Sequence, residues 1–101
     1  MTITQSVNEG IWNIALEGRL DINTSPDLED LIKDEPDEIR GIVLDMGEMN
    51  YISSAGLRVV LLMLKKMNKA GKTMKLINVT EPVYEVFELT GFTDILNIER
   101  A

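Results

Sequence analysis

Two adjacent hydroxyls, Ser53 and Ser54, stand where an apolar run ends and a strongly helical run begins, within segment 45–62, DMGEMNYISSAGLRVVLL. Serine suits the N-cap of a helix, because its side-chain oxygen accepts from the free backbone N–H groups of the first turn. The same amide ends, together with the helix dipole, make the spot favourable for an anion. A hydroxyl presented there can carry a phosphate without breaking the helix that it starts. The plainer reading of the pair is a serine cap and nothing more. Arg58 lies four residues beyond Ser54, one turn up on the same side, where it either meets such a phosphate or faces solvent.

Chemistry done by the chain itself finds little support. Its 101 residues contain neither histidine nor cysteine, which removes the commonest general base, the thiolate nucleophile and the commonest metal ligands. No phosphate-binding glycine loop, dinucleotide fingerprint or nucleophile elbow is present. The acidic stretch from Asp27 to Glu38 lacks the alternating ligands and central glycine of a calcium loop and reads as a solvated face. Seventeen acidic against ten basic side chains give a net charge of −7, a surface that repels a phosphate backbone and argues against nucleic acid as a partner. Basic protein partners are favoured by the same charge. No apolar run approaches the roughly 20 residues of a membrane span, so no membrane insertion is expected, and a cytoplasmic location is.

The elements that must position the serines follow from periodicity. Runs 2–7 and 11–16 are β-rich and joined by Asn8-Glu9-Gly10, a hairpin in which Trp12, Ile14 and Leu16 share the core side. Residues 18–24 read as a loop. Ser25-Pro26-Asp27 opens a helix with serine as cap and a stripe of Leu28, Leu31 and Ile32. Ile42, Val43 and Leu44 are apolar without alternation, as in a strand covered on both faces. A helix follows over 54–70 with Gly71 beyond it, then a strand over 73–79. Thr80-Glu81-Pro82 opens a last helix that stops at Gly91, and Ile95, Leu96 and Ile98 form a terminal strand or pack across the end.

The order ββαβαβα, with a possible final strand, predicts one α/β domain over residues 1–101: a mixed, mainly parallel sheet with an N-terminal hairpin and the first two helices on one face. Function in such sheets gathers in the loops after the C-terminal strand ends. Two of these, 18–25 and 46–54, are expected side by side and carry Asp21, Asn23, Thr24, Ser53 and Ser54. The long helix is apolar nearly all round in its first half. Leu57, Val60, Leu61 and Leu64 face the sheet, while Val59, Leu62 and Met63 await either the last helix or a partner.

These residues resemble a known family. The run NYISSAGLRVVLL is similar to the signature of the STAS domain of bacterial anti-sigma factor antagonists. Gly18-Arg19-Leu20-Asp21, Ile42-Val43-Leu44-Asp45 and the tail Val86-Phe87-Glu88-Leu89-Thr90-Gly91-Phe92 extend the likeness over the chain. The resemblance implies a single STAS-like domain with a four- to five-stranded mixed sheet and helices packed mainly on one face. It also implies a non-enzymatic switch without cofactor or metal, probing its partner through Asp21, Asn23, Thr24, Ser53, Ser54, Gly56, Leu57 and Arg58. The partner it implies is an anti-sigma factor that is also a serine kinase. Bound while unphosphorylated, the antagonist frees a sigma factor. Phosphorylation at the matching Ser54 ends the interaction, and a PP2C-type phosphatase resets it.

Many antagonists carry aspartate just before the phosphorylated serine and a hydroxyl residue after it. Here those positions hold Ser53 and Ala55, so Ser53 is the second choice for modification. The free protein is expected to be a monomer. The alternative function is an unphosphorylated STAS subunit docked on a transporter ATPase in lipid trafficking, and a further one is a nucleotide- or small-ligand-binding STAS module.

Overall fold

A computed structural model describes residues 1–101. The chain begins with the hairpin β1 (Thr2–Asn8) and β2 (Ile11–Leu20), followed by α1 (Ser25–Lys33), β3 (Gly41–Ile52), α2 (Ser54–Lys69) and β4 (Thr73–Val79). It closes with α3 (Glu81–Leu89), a short 3₁₀ turn (Phe92–Asp94) and β5 (Asn97–Arg100). Glu9 and Gly10, both at positive φ (52° and 80°), make the hairpin turn, and β1 pairs antiparallel with β2 from Asn8↔Ile11 to Thr2↔Glu17. Every later neighbour is parallel, and the sheet runs β1-β2-β3-β4-β5 in sequence order.

That unbroken order decides where the helices go. Right-handed crossovers between strands that always advance in one direction put every connection on the same side of the sheet. The side chains record it: Trp12, Ile14 and Leu16 of β2, Ile42, Leu44 and Met46 of β3, and Met74 and Leu76 of β4 are buried beneath the helices. Their neighbours Asn13, Ala15, Val43, Asp45 and Ile77 are only half-buried on the opposite, uncovered face. The apolar run Ile42-Val43-Leu44 is therefore not a strand covered on both faces. It is a one-sided strand whose single outward position, Val43, happens to be apolar.

Two further expectations shift. Of the segments read as loops, 18–24 keeps only residues 21–24 as a turn, and 46–54 is strand as far as Ile52. β2 continues to Leu20 and β3 to Ile52, their ends paired Gly18↔Met49, Arg19↔Tyr51 and Leu20↔Ile52, with register shifts between Ala15 and Glu17 and between Gly18 and Arg19. Polar and glycine-rich composition hid this pairing, because bulged strand ends need no strict alternation. The cap of α1 also moves by one: Thr24 is the N-cap and Ser25, 3% exposed, is the first helical residue beneath the structure. The first half of α2 is covered by α1 rather than by the last helix. Val59 and Met63 face Ile32 across a groove of about 270 Å³ whose rim carries Leu62.

An ion cluster fastens the lower ends of α1 and α2. Glu35 accepts from Lys72 Nζ at 2.6 Å and lies 3.5 Å from Lys66 Nζ, which itself donates to the Ile32 carbonyl at 2.8 Å. The Glu35 side chain is only 16% exposed. Burial pushes its carboxyl up, but the hydrogen bond and charge of Lys72, joined by Lys66, outweigh that and hold it below the ordinary 4.5. Between that lowered value and 4.5 the unfolded chain binds the proton and the folded chain does not, so stability rises with pH there. The contribution of Glu35 is thus complete above pH 4.5 and is lost as pH falls through the lowered folded value.

Two outcomes check this account. Urea unfolding should show the wild type more stable than Glu35→Gln at pH 7, with the gap closing as the pH is taken below 4.5; a gap independent of pH would refute the cluster's role. Gly56 of α2 lies so close to β2 that an added Cβ would stand 2.8 Å from Leu20 Cγ and from the Leu20 carbonyl, and 2.9 Å from Ile52 Cγ1. Gly56→Ala should therefore cost about 1–3 kcal/mol and lower the thermal midpoint by several degrees. An unchanged or raised midpoint would mean that the helix start is not seated this tightly.

Candidate functional site

The paired ends of β2 and β3 build a platform for the start of α2. Ser53 donates its backbone N–H to the Leu20 carbonyl at 2.9 Å, which ties the residue before the helix directly to β2. Ser53 is the N-cap, extended at φ −97° and ψ 176°, and its Oγ accepts from the Gly56 N–H at 3.3 Å. Its carbonyl receives the Leu57 N–H at 2.9 Å, the first bond of the helical ladder. Ser54 is the first helical residue and is exposed, with its hydroxyl outside the cap. The two adjacent hydroxyls therefore do different work: one closes the helix end, and the other is presented to solvent at its mouth.

The charge around that mouth is unusual for this molecule. α1 and α3 each carry an acid in the first turn, Asp27 and Glu81, whereas α2 carries none. The partial positive charge of its N–H groups is thus not offset by a carboxylate of its own helix. Arg58 stays on the Ser54 side of α2, and its Nη2 lies 3.4 Å from Glu29 Oε1 of α1. This is a partly exposed pair that contributes at most about 1 kcal/mol, weak enough to exchange partners. Arg58 is thus neither free in solvent nor committed.

Beside this helix start, residues Asp21–Ser25 form a tightly bonded turn. The Asp21 carboxylate accepts from the N–H groups of Asn23 at 2.9 Å and Thr24 at 3.2 Å. The Thr24 hydroxyl accepts from the Asp21 N–H at 2.9 Å and donates to the Arg19 carbonyl at 2.8 Å, while Ser25 N–H reaches the Asp21 carbonyl at 2.8 Å. The Asn23 amide holds the Asp21 carboxyl below its ordinary 3.8; desolvation works the other way, and Thr24 and the Arg19 charge act with Asn23. Asp21 is thus the organiser of the turn as well as a half-buried charge at its edge.

The structure brings Asp21, Asn23, Thr24, Ser53, Ser54 and Arg58 to one rim of the sheet. Gly56 and Leu57, expected on the same surface, are buried: Gly56 against Leu20 and Ile52, and Leu57 in the core at 8% exposure. Their part is to seat the helix. Three rim residues escaped the sequence reading. Arg19 stacks its guanidinium 4.1 Å from the centre of the Tyr51 ring, and its Nε lies 3.6 Å from Asp21 Oδ2. That link depends on the register of two bulged strands and has no sequence signal. Ile22, 75% exposed at the tip of the turn, had one. It is a lone apolar side chain in a polar segment, with no helical or strand period to bury it. No group of three or more carboxylates is arranged to hold a metal ion.

Comparison with known proteins follows this geometry closely. The family model of the STAS domain matches residues 2–101. A Bordetella bronchiseptica protein, BtrV, described as an anti-sigma factor antagonist, is 35% identical over 102 residues, spanning 100% of this chain and 88% of its own length. Among solved structures, a Thermotoga maritima protein described in the same terms superposes with a TM-score of 0.91 at 21% identity, over 98% of this chain and 86% of that one. The anti-sigma factor antagonist SpoIIAA in its unphosphorylated form gives a TM-score of 0.77 at 16% identity, over 99% and 89% of the two chains. The phosphorylated form of SpoIIAA, from Bacillus, gives 0.76 at 17% identity, over 96% and 90%. With the match to the family model over nearly every residue, and a sheet, helix order and serine-opened α2 to go with it, the chain belongs to the STAS-domain family, among relatives named as anti-sigma factor antagonists.

Proposed function

We propose that this protein is an anti-sigma factor antagonist of a partner-switching pathway in the cytoplasm. In its unmodified state it binds an anti-sigma factor that is also a serine kinase, and so releases a sigma factor. The kinase transfers phosphate to Ser54, the complex parts, and a PP2C-type phosphatase restores the hydroxyl. The chain is the substrate in this cycle, not an enzyme. The observation that carries the reading is the division of labour between the two serines: Ser53 keeps the cap, so Ser54 is left exposed and unneeded by the fold. SpoIIAA, a relative in fold, has been solved in both phosphorylation states.

Electrostatics supports a switch that acts at the surface. A phosphoserine brings about −1.5 to −2 charges at neutral pH. Here it would meet the unpaired N–H groups of the first turn and the reach of Arg58, so the domain can carry it without unfolding. A docked partner that covers Ser54 has to strip water from that charge and accept it beside Asp21. A penalty of about 3 kcal/mol weakens binding roughly 150-fold, ample for exchange of partners.

Incubation with ATP and each serine kinase of the host, followed by mass spectrometry, tests the assignment. Phosphate is expected on Ser54, and Ser54→Ala should abolish it. Ser53→Ala should still be phosphorylated yet lose about 1 kcal/mol of stability, as a deleted cap does. Far-UV circular dichroism should be the same before and after modification. Phosphate confined to Ser53, or a large spectral change, would overturn this mechanism.

A further inference from the structure

Six large apolar side chains are exposed: Val7, Ile22, Tyr51, Leu62, Leu89 and Ile95. Only Ile22 and Tyr51 stand on the rim that presents Ser54. Leu89 is the last residue of α3 and Ile95 follows the 3₁₀ turn after it, at the opposite end of the strands. Tyr51 is 40% exposed, with one ring face taken by Arg19. Ile22 is 75% exposed. Its place is fixed by its neighbours, since Asp21 and Thr24 on either side exchange hydrogen bonds through backbone and side chain and tie the turn to the Arg19 carbonyl. The turn in turn sits beside the helix start, because Leu20, one residue before it, accepts the Ser53 N–H and packs on Gly56.

An exposed isoleucine is ordinary on a surface; an exposed isoleucine on a pre-formed turn is poised for binding. Its β-branched side chain has few rotamers to lose, and the backbone that carries it is already ordered. Resting on the partner-switching reading above, we infer that Ile22 is the apolar anchor of the docked complex. It inserts into an apolar pocket of the anti-sigma factor, and the Arg19–Tyr51 stack packs at the pocket's edge. The chemistry of that partner site is an apolar recess with a basic border, matching the carboxylate of Asp21 and the net charge of −7. Burying an isoleucine side chain accounts for roughly ten- to hundredfold in affinity, while the polar residues around it set orientation. The anchor is separate from the switch: Ile22 supplies the hold, and Ser54 decides when it is released.

The test measures binding of the host's purified anti-sigma factor by isothermal titration, against wild type, Ile22→Ser, Ile22→Val and Leu89→Ser. Ile22→Ser is expected to weaken binding by about thirtyfold, as an interface hot spot does. Ile22→Val should stay close to wild type, and so should Leu89→Ser, which removes a still more exposed apolar residue from the opposite end. In kinase assays Ile22→Ser should raise KM for the antagonist and leave kcat unchanged. A wild type that binds no anti-sigma factor overturns the functional reading and the anchor with it. A wild type that binds, with Ile22→Ser less than about tenfold weaker or Leu89→Ser equally impaired, overturns the anchor alone.

Discussion

The start of α2 rests on the end of β2 with no room for a side chain between them. Gly56 lies against the Leu20 carbonyl and side chain, and Ser53 hands its N–H to that same carbonyl. This contact fixes three things together. It sets the angle at which α2 crosses the sheet, and so the burial of Leu57 and Val60 beneath it. It aims the free N–H groups of the first turn outward at the rim. It also brings the helix mouth beside the turn that begins at Asp21. Without it the serines would still cap a helix, but nothing would hold Ser54, Asp21 and Ile22 on one surface.

Economy at the rim comes from dividing tasks among neighbouring groups. Ser53 satisfies a donor of the first turn, so Ser54 is free for other chemistry. Asp21 and Thr24 organise a turn, so Ile22 and Asn23 can be presented in fixed positions. Arg19 stacks on Tyr51 and faces Asp21, joining the β2–α1 turn to β3. Each of these is a weak interaction taken singly. Together they make a rigid patch that costs little to order on docking, which favours affinity from a small surface. The ion cluster around Glu35 serves the far end of the helix layer and keeps α1 and α2 in register away from this patch.

The one-sided sheet has a consequence for the molecule's surface. All three crossovers lie on one face, so the other face is left with Thr4, Asn13, Ala15, Val43, Asp45 and Ile77 around a shallow groove. Its mixture of hydroxyl, amide and small apolar groups tolerates water, as an antiparallel sheet's outer face does. Helices concentrated on one side also leave the C-terminal strand ends open, and there the serine-opened helix and the β2–α1 turn meet.

The element order, the core stripe of Trp12, Ile14 and Leu16, the span of α2 and the strand at 73–79 could all be read from the chain, because each is set by periodicity and by local cap or stop chemistry. The likeness of 45–62 to a serine-opened helix signature was equally local. What tertiary structure alone decided was pairing and exposure. Residues 18–20 and 46–52 became strand because each offered the other a ladder, a gain invisible in either segment by itself. Val59 and Met63 were buried by α1 rather than α3 because sheet order, not helix pattern, selects the neighbour. The two serines, alike in sequence, parted roles only once the backbone turned one hydroxyl onto Gly56 and left the other facing water, since hydrogen-bond geometry exists only when distant atoms have been brought to their places.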